Sequence, residues 1–295
     1  MEYAIRNEGY SLLVEQYASK YDPDYLMKCH DSFSKKFVRL IEEYSEMPVC
    51  VKNVNDQVHE AILYVGERKT ISMDPFFKGT YNLRISRAFC DCEKSNQASF
   101  EKLVIEKNGI IQPFSTEFSD IPDGNYILVD DDSVAKDTVL AIIDRLEKGE
   151  CLQDKITQNK FCESNSLMLF ISKLRKGINI TDIYLLNKTT KDIYDTVDIR
   201  DFLFGVKYSG LVIKQDECYI RKPYIYPFVN LSSRAKIKNG IELSHKICLL
   251  NEELYSKLKK ITVADTCEQF RILMKSLNID GKTPMHEVCN VLMRG

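Results

Sequence analysis

Residues 126–146 read YILVDDDSVAKDTVLAIIDRL, an apolar run that ends in three consecutive aspartates and passes within a few residues into a helical pattern. Tyr126 to Val129 have the aromatic and β-branched character of a buried strand. Asp130, Asp131 and Asp132 stand together at its exit, where their charges repel. Beyond them Val139, Ile142, Ile143 and Leu146 recur at the three- and four-residue steps of one helix face, with Ser133 or Asp137 able to cap it. A buried strand, a short turn and a helix form half of a crossover unit. This predicts an α/β fold with a mainly parallel sheet flanked by helices. Ligands of such sheets bind beyond the carboxyl ends of the strands, where helix N-termini direct N–H groups at them. Carboxylates on one side and amides on the other suit a ligand carrying both hydroxyls and a phosphate. Neighbouring carboxylates also favour a hard divalent cation, Mg²⁺ being the default.

Three regions follow from the rest of the chain. Residues 1–57 read as an N-terminal helical region, with Phe33, Phe37, Leu40 and Ile41 at helical steps. Residues 58–230 read as the α/β core. Its strand candidates, besides NYILVD, are EAILYVG at 60–66, YNLRIS at 81–86, EKLVIEK at 101–107, DIYLLN at 182–187 and SGLVIK at 209–214. Helical patches are predicted at about 137–148 and 164–176 by the same periodicity. Residues 231–295 lack strand-like runs, and NEELYSKLKKI and CEQFRILMKSL predict a helical C-terminal cap.

The segment ILVDDDSVAKDT resembles the phosphoribosyl-pyrophosphate binding motif of the type I phosphoribosyltransferases: a hydrophobic strand, two acids, a short loop and a threonine that opens a helix. The resemblance covers about a dozen residues, with the helix opening as the pattern requires. It implies a phosphoribosyltransferase-like fold and an enzyme that uses phosphoribosyl pyrophosphate and Mg²⁺ to move a phosphoribosyl group to a base or related acceptor. By position, Asp130 and Asp131 would hold the ribose hydroxyls and the metal and be the catalytic residues, orienting the ribose near its developing positive charge. Ser133, Val134, Ala135, Lys136, Asp137 and Thr138 would cradle the 5-phosphate. The family's second element, a basic loop after an earlier strand, falls on Arg68 and Lys69 as the pyrophosphate-binding residues. A loop closing over the substrate falls between there and Tyr126, where Arg84, Arg87, Lys102 and Lys107 lie. VDIRDFLFGVKYSGLVI resembles the base-contacting region of purine-type members. A homodimer is also in keeping with the family. The loop VAKDT departs from the pattern in having no glycine, the feature that favours a non-catalytic phosphosugar or nucleotide sensor on the same fold. The same stretch is similar to the opening strand and helix of a receiver-like signalling domain. A receiver requires a later strand ending in aspartate, whereas DIYLLN ends in Asn187.

The remaining features narrow the classes. A net charge of -2 argues against non-specific nucleic-acid binding. Ten scattered cysteines and the absence of a basic-then-apolar leader predict a cytoplasmic chain with reduced thiols. No apolar stretch approaches the roughly 18 to 20 residues that cross a bilayer, so no membrane partner is expected. Neither GxGxxG nor GxxxxGK[ST] occurs, and the four histidines show no acid–base pairing for a triad. The pairs Cys90/Cys92, Cys29/His30 and His286/Cys289 lack the second pair that a zinc site needs.

Overall fold

A computed structural model describes residues 2–89, 100–107, 109–114, 121–130, 166–174, 177–186, 193–231 and 237–292. Among the described residues, thirteen strands form three sheets. The first, ordered β11-β1-β2, comprises Ile193–Asp198, Glu2–Asn7 and Val49–Asn53, all parallel. The second is ordered β10-β9-β8-β3-β4, from Gly177–Leu186, Ser166–Leu174, Gly124–Asp130, Thr70–Ser72 and Tyr81–Asn82. In it β3 is parallel to both β8 and β4, and β9 is antiparallel to its two neighbours. The third is ordered β13-β12-β5-β6-β7, from Cys218–Lys222, Leu211–Gln215, Ile85–Phe89, Phe100–Lys107 and Ile110–Pro113. There β5 and β12 are parallel, and the other pairings are antiparallel. The architecture is mixed α/β, with parallel-strand sheets flanked by helices, and the strands are divided among three sheets rather than gathered in one.

The predicted N-terminal helices are present but bracketed by strands. In β1, Tyr3 and Ile5 are fully buried in the main apolar core while Arg6, on the alternate face, points toward charged partners. Helix α1 spans Tyr10–Tyr17 and α2 spans Pro23–Ser45. Asp22 caps α2 by accepting from the N–H groups of Asp24 and Tyr25, with Pro23 in the first turn. Leu26, Phe33, Phe37 and Ile41 give α2 a buried stripe of helical period. Helix α3, Val54–Val65, corrects one strand assignment, because EAILYVG is its second half. Asn53 caps it by accepting from Asn55 N–H, and its buried residues Val54, Gln57, Ala61 and Val65 step by three and four. The segment 166–174, expected to be helical, is instead β9, hydrogen-bonded between β8 and β10. The helix predicted at 137–148 lies outside the described residues.

The C-terminal helices match their prediction. Helices α4 (Gly240–Lys257), α5 (Glu268–Ser276) and α6 (Met285–Leu292) pack into the same core as α1 and α2. Leu243, Ile247, Leu254, Met274 and Val288 from the cap meet Phe37, Ile41, Phe202 and Phe204 there. Among the described residues no helix is long and apolar enough to cross a membrane.

Candidate functional site

A cleft of about 290 Å³ opens where the three sheets meet. Its walls come from the segment after β3, the strand β5 with Arg84 before it, the tip of β8, the strand β11 and the short 3-10 helix Ile199–Phe202 that follows it. Two parallel groupings direct their carboxyl ends here. Strand β8 ends in Asp130, and Ser72 at the end of β3 is level with Val129. In the first sheet, Asp198 closes β11 level with Arg6 of β1, which is in turn level with Lys52 of β2. This is the strand end at which open parallel sheets place their ligands.

A buried ionic network ties the two ends together. The Arg6 side chain, 1 % exposed, lies 3.3 Å from Asp74, 3.2 Å from Glu8 and 3.6 Å from Asp198, and donates to Gln57 at 3.2 Å. Arg6 and Asp74 therefore link the exit of β1 to the exit of β3. Arg200 continues the network, 2.9 Å from Asp198 and 3.4 Å from both Glu8 and Asp201. Charges buried this far from water are held only by partners of this quality, and deleting one partner strands the others. Loss of water drives the Glu8 carboxyl well above the usual carboxylate range, against the opposing pull of Arg200 and Arg6. Burial likewise pushes Asp201 up to about 6, with Arg200 opposing and Asp198 adding to the rise. Lys52 Nζ is buried beside this network and has no hydrogen-bond partner among the described residues.

The cleft mixes acids, arginines and aromatic rings. Asp130, Asp195, Asp198 and Asp201 line it together with Arg84, Arg87, Arg200 and Arg221. Arg221 is structural: it donates to Glu106 at 2.8 Å, to Ser86 Oγ at 3.0 Å and to the Gly210 carbonyl at 3.1 Å. Arg84 donates to the Asp74 carbonyl at 2.7 Å, and its guanidinium lies 5.7 Å from the Tyr208 ring centre. Arg87 approaches the Phe89 ring at 5.9 Å. These groups can neutralise an anion, accept hydrogen bonds from hydroxyls and bracket a planar group.

The predicted site residues fare unevenly. Asp130 stands at the strand tip on the cleft, as expected from YILVD. Asp131, Ser133, Val134, Ala135, Lys136, Asp137 and Thr138 lie outside the described residues. Arg68 and Lys69 are not brought to Asp130. Arg68 Nε donates to the Val65 carbonyl at 2.8 Å and its guanidinium lies 5.1 Å from the Tyr64 ring, folded over the end of α3. The Lys69 carbonyl accepts from Ile127 N–H, at the start of β3 and three residues before Asp130. The reason is the misassigned strand. With 60–66 helical, the basic pair precedes the strand at 70–72 instead of following it, and so occupies the wrong end of the sheet. The interval expected to hold a closing loop contains β5 and β6, which place Arg84 and Arg87 on the cleft wall. VDIRDFLFGVKYSGLVI contributes Asp198, Arg200, Asp201 and Tyr208. Arg6, Glu8 and Asp74 are absent from the sequence reading. Their one signal is charge next to short apolar runs, in YAIRNE and ISMD.

For Mg²⁺ the donor set is suitable in kind: hard carboxylate oxygens, one of them at a strand tip, where the ion commonly binds through one or two carboxylates plus substrate phosphates. Among the described residues, no group of three or more His, Cys, Asp or Glu side chains is arranged to hold a metal by itself. Compared with protein-family models, curated proteins and solved structures, the chain matches none.

Proposed function

We propose that the cleft binds phosphoribosyl pyrophosphate and that the protein transfers its phosphoribosyl group to an acceptor. The observation that carries this reading is the position of Asp130. It ends an apolar strand parallel to β3 and shares one cleft with Arg84 and Arg87. Asp130, with Asp131 beside it in the chain, accepts from the ribose hydroxyls and sits near the positive charge that grows on the sugar as pyrophosphate leaves. Ser133 to Thr138, with Lys136 supplying charge, hold the 5-phosphate. Arg84 and Arg87 take the pyrophosphate role first assigned to Arg68 and Lys69. Asp130 and Asp131 would hold Mg²⁺, which would supply charge neutralisation for the leaving pyrophosphate. The glycine-free loop VAKDT favours a second reading, in which the same site senses the ligand without turning it over.

Calorimetric titration with phosphoribosyl pyrophosphate and Mg²⁺, followed by assay of pyrophosphate release across a panel of bases, tests both readings. Binding with release supports transfer, binding without release supports sensing, and no binding removes the phosphoribosyl reading. Asp130→Asn is expected to weaken binding about 10- to 100-fold, the worth of charge-assisted hydrogen bonds, with the melting temperature little changed. A large melting loss with intact binding would make Asp130 structural.

A further inference from the structure

The segment 202–209 joins the acids of the cleft to Tyr208 and Gly210, and besides internal bonds such as Ser209 Oγ to the Leu203 carbonyl it is held by side chains of helices outside the cleft. Asn251 of α4, 0 % exposed, donates from Nδ2 to the Phe202 carbonyl at 2.8 Å and accepts on Oδ1 from Phe204 N–H at 2.9 Å. Leu203 between them is extended, at φ -90° and ψ 112°. The amide thus engages a carbonyl and the N–H two residues on, the pair of groups a neighbouring strand would take. Nδ2 also donates to Ile247 O at 3.0 Å, one turn back along α4. That bond fixes how the amide faces, because the reverse orientation sets its oxygen against two carbonyls. The Tyr255 hydroxyl donates to the Phe204 carbonyl and meets the Tyr17 hydroxyl at 3.3 Å. Gln16 Nε2 donates to the Gly205 carbonyl at 2.9 Å and to the Asp265 carbonyl at 3.0 Å. Asparagine is a poor helix-interior residue and costly to bury, so its gain lies in these bonds.

We propose that Asn251 is a positioning residue for the cleft: by pinning Phe202 and Phe204 from the C-terminal helices, it sets where Asp201 and Tyr208 stand. The helical cap is then part of the site's scaffold, and rotation of α4 moves one wall of the cleft. Asn251 does not itself line the cleft and reaches it through Phe202, which does.

The test uses the full chain. Asn251→Asp preserves shape but removes both donated bonds and sets a carboxylate against two carbonyls. Tyr255→Phe removes one hydroxyl and serves as a milder second variant. Val65→Ala, in a separate apolar cluster with Phe77 and Ile127, controls for lost stability alone. Two readouts need no ligand: hydrogen exchange at the Phe204 amide, and the titration midpoint of Asp201 by NMR, which Arg200, Asp198 and Arg221 face. Asn251→Asp still offers an acceptor to the Phe204 N–H, so faster exchange there, expected at about tenfold or more in that variant and less in Tyr255→Phe, reports displacement of the segment once its carbonyl anchors are lost. The Asp201 midpoint moves in both, and Val65→Ala changes neither readout beyond its effect on global stability. Exchange and midpoint in Asn251→Asp and Tyr255→Phe equal to the control's would overturn the proposal, and Tyr255→Phe decides alone should Asn251→Asp not fold. A third readout, affinity for phosphoribosyl pyrophosphate with Mg²⁺, rests on the reading of the cleft given above. Should the native chain not bind it, that reading fails while the two ligand-free measurements still decide the role of Asn251.

Discussion

Asp201 shows how one side chain records its surroundings. Its neighbour Arg200 favours the ionised form, yet burial wins and raises the carboxyl from 3.8 to about 6. A carboxyl held above its ordinary value binds its proton more tightly in the folded chain than in the unfolded one. Its contribution to stability is therefore complete below pH 3.8 and lost as pH rises through about 6. Glu8 acts in the same direction. Asp201→Asn removes the ionisation, so its stability relative to the native chain is expected to be higher near pH 7.5 than near pH 4, by urea unfolding at both. A relative stability that falls with pH would show that Arg200, not burial, governs the group.

At the scale of elements, the third sheet is locked by one arginine. Arg221 of β13 reaches past two strands to Glu106 of β6 and also engages Ser86 of β5, with both charged side chains near 10 % exposed or less. Arg221→Met leaves Glu106 buried without its partner and is expected to cost about 3 to 5 kcal/mol. Adding Glu106→Gln should recover part of that loss, a coupling that a double-mutant cycle by denaturant unfolding measures. The elements also show what the sequence made legible. NYILVD, EKLVIEK, SGLVIK and the C-terminal helices were readable because apolar runs between turn residues, or a clean three-and-four spacing, admit one interpretation. EAILYVG and SLMLFISKL were not, since a short apolar run suits a buried strand and a buried helix equally. What resolved the first was a cap at Asn53 and spacing that began at Val54, before the run itself. The network of Arg6 with Gln57, Asp74 and Asp198 was unreadable for another reason. Each of these three lies 51 or more positions from Arg6, and apart from Glu8 nothing local in YAIRNE announces which groups will surround the arginine.

The molecule as a whole is governed by one apolar core that α1, α2, the segment around Phe202 and the three C-terminal helices share. Removing residues 237–292 strips Leu243, Ile247, Leu254 and Val288 from it and orphans the Phe204 amide. The shortened chain is expected to lose its cooperative unfolding transition, monitored by circular dichroism against urea, since several buried Leu and Ile side chains each contribute about 1.5 to 3 kcal/mol. The order β11-β1-β2 carries a consequence for synthesis. Strand β1 is central, but one of its two partners leaves the ribosome roughly 190 residues after it, on the order of 10 to 40 seconds later at ordinary elongation rates. Through that interval Arg6 has neither Asp198 nor the Arg200 network around it, so β1 completes its ion pairs only long after it is made.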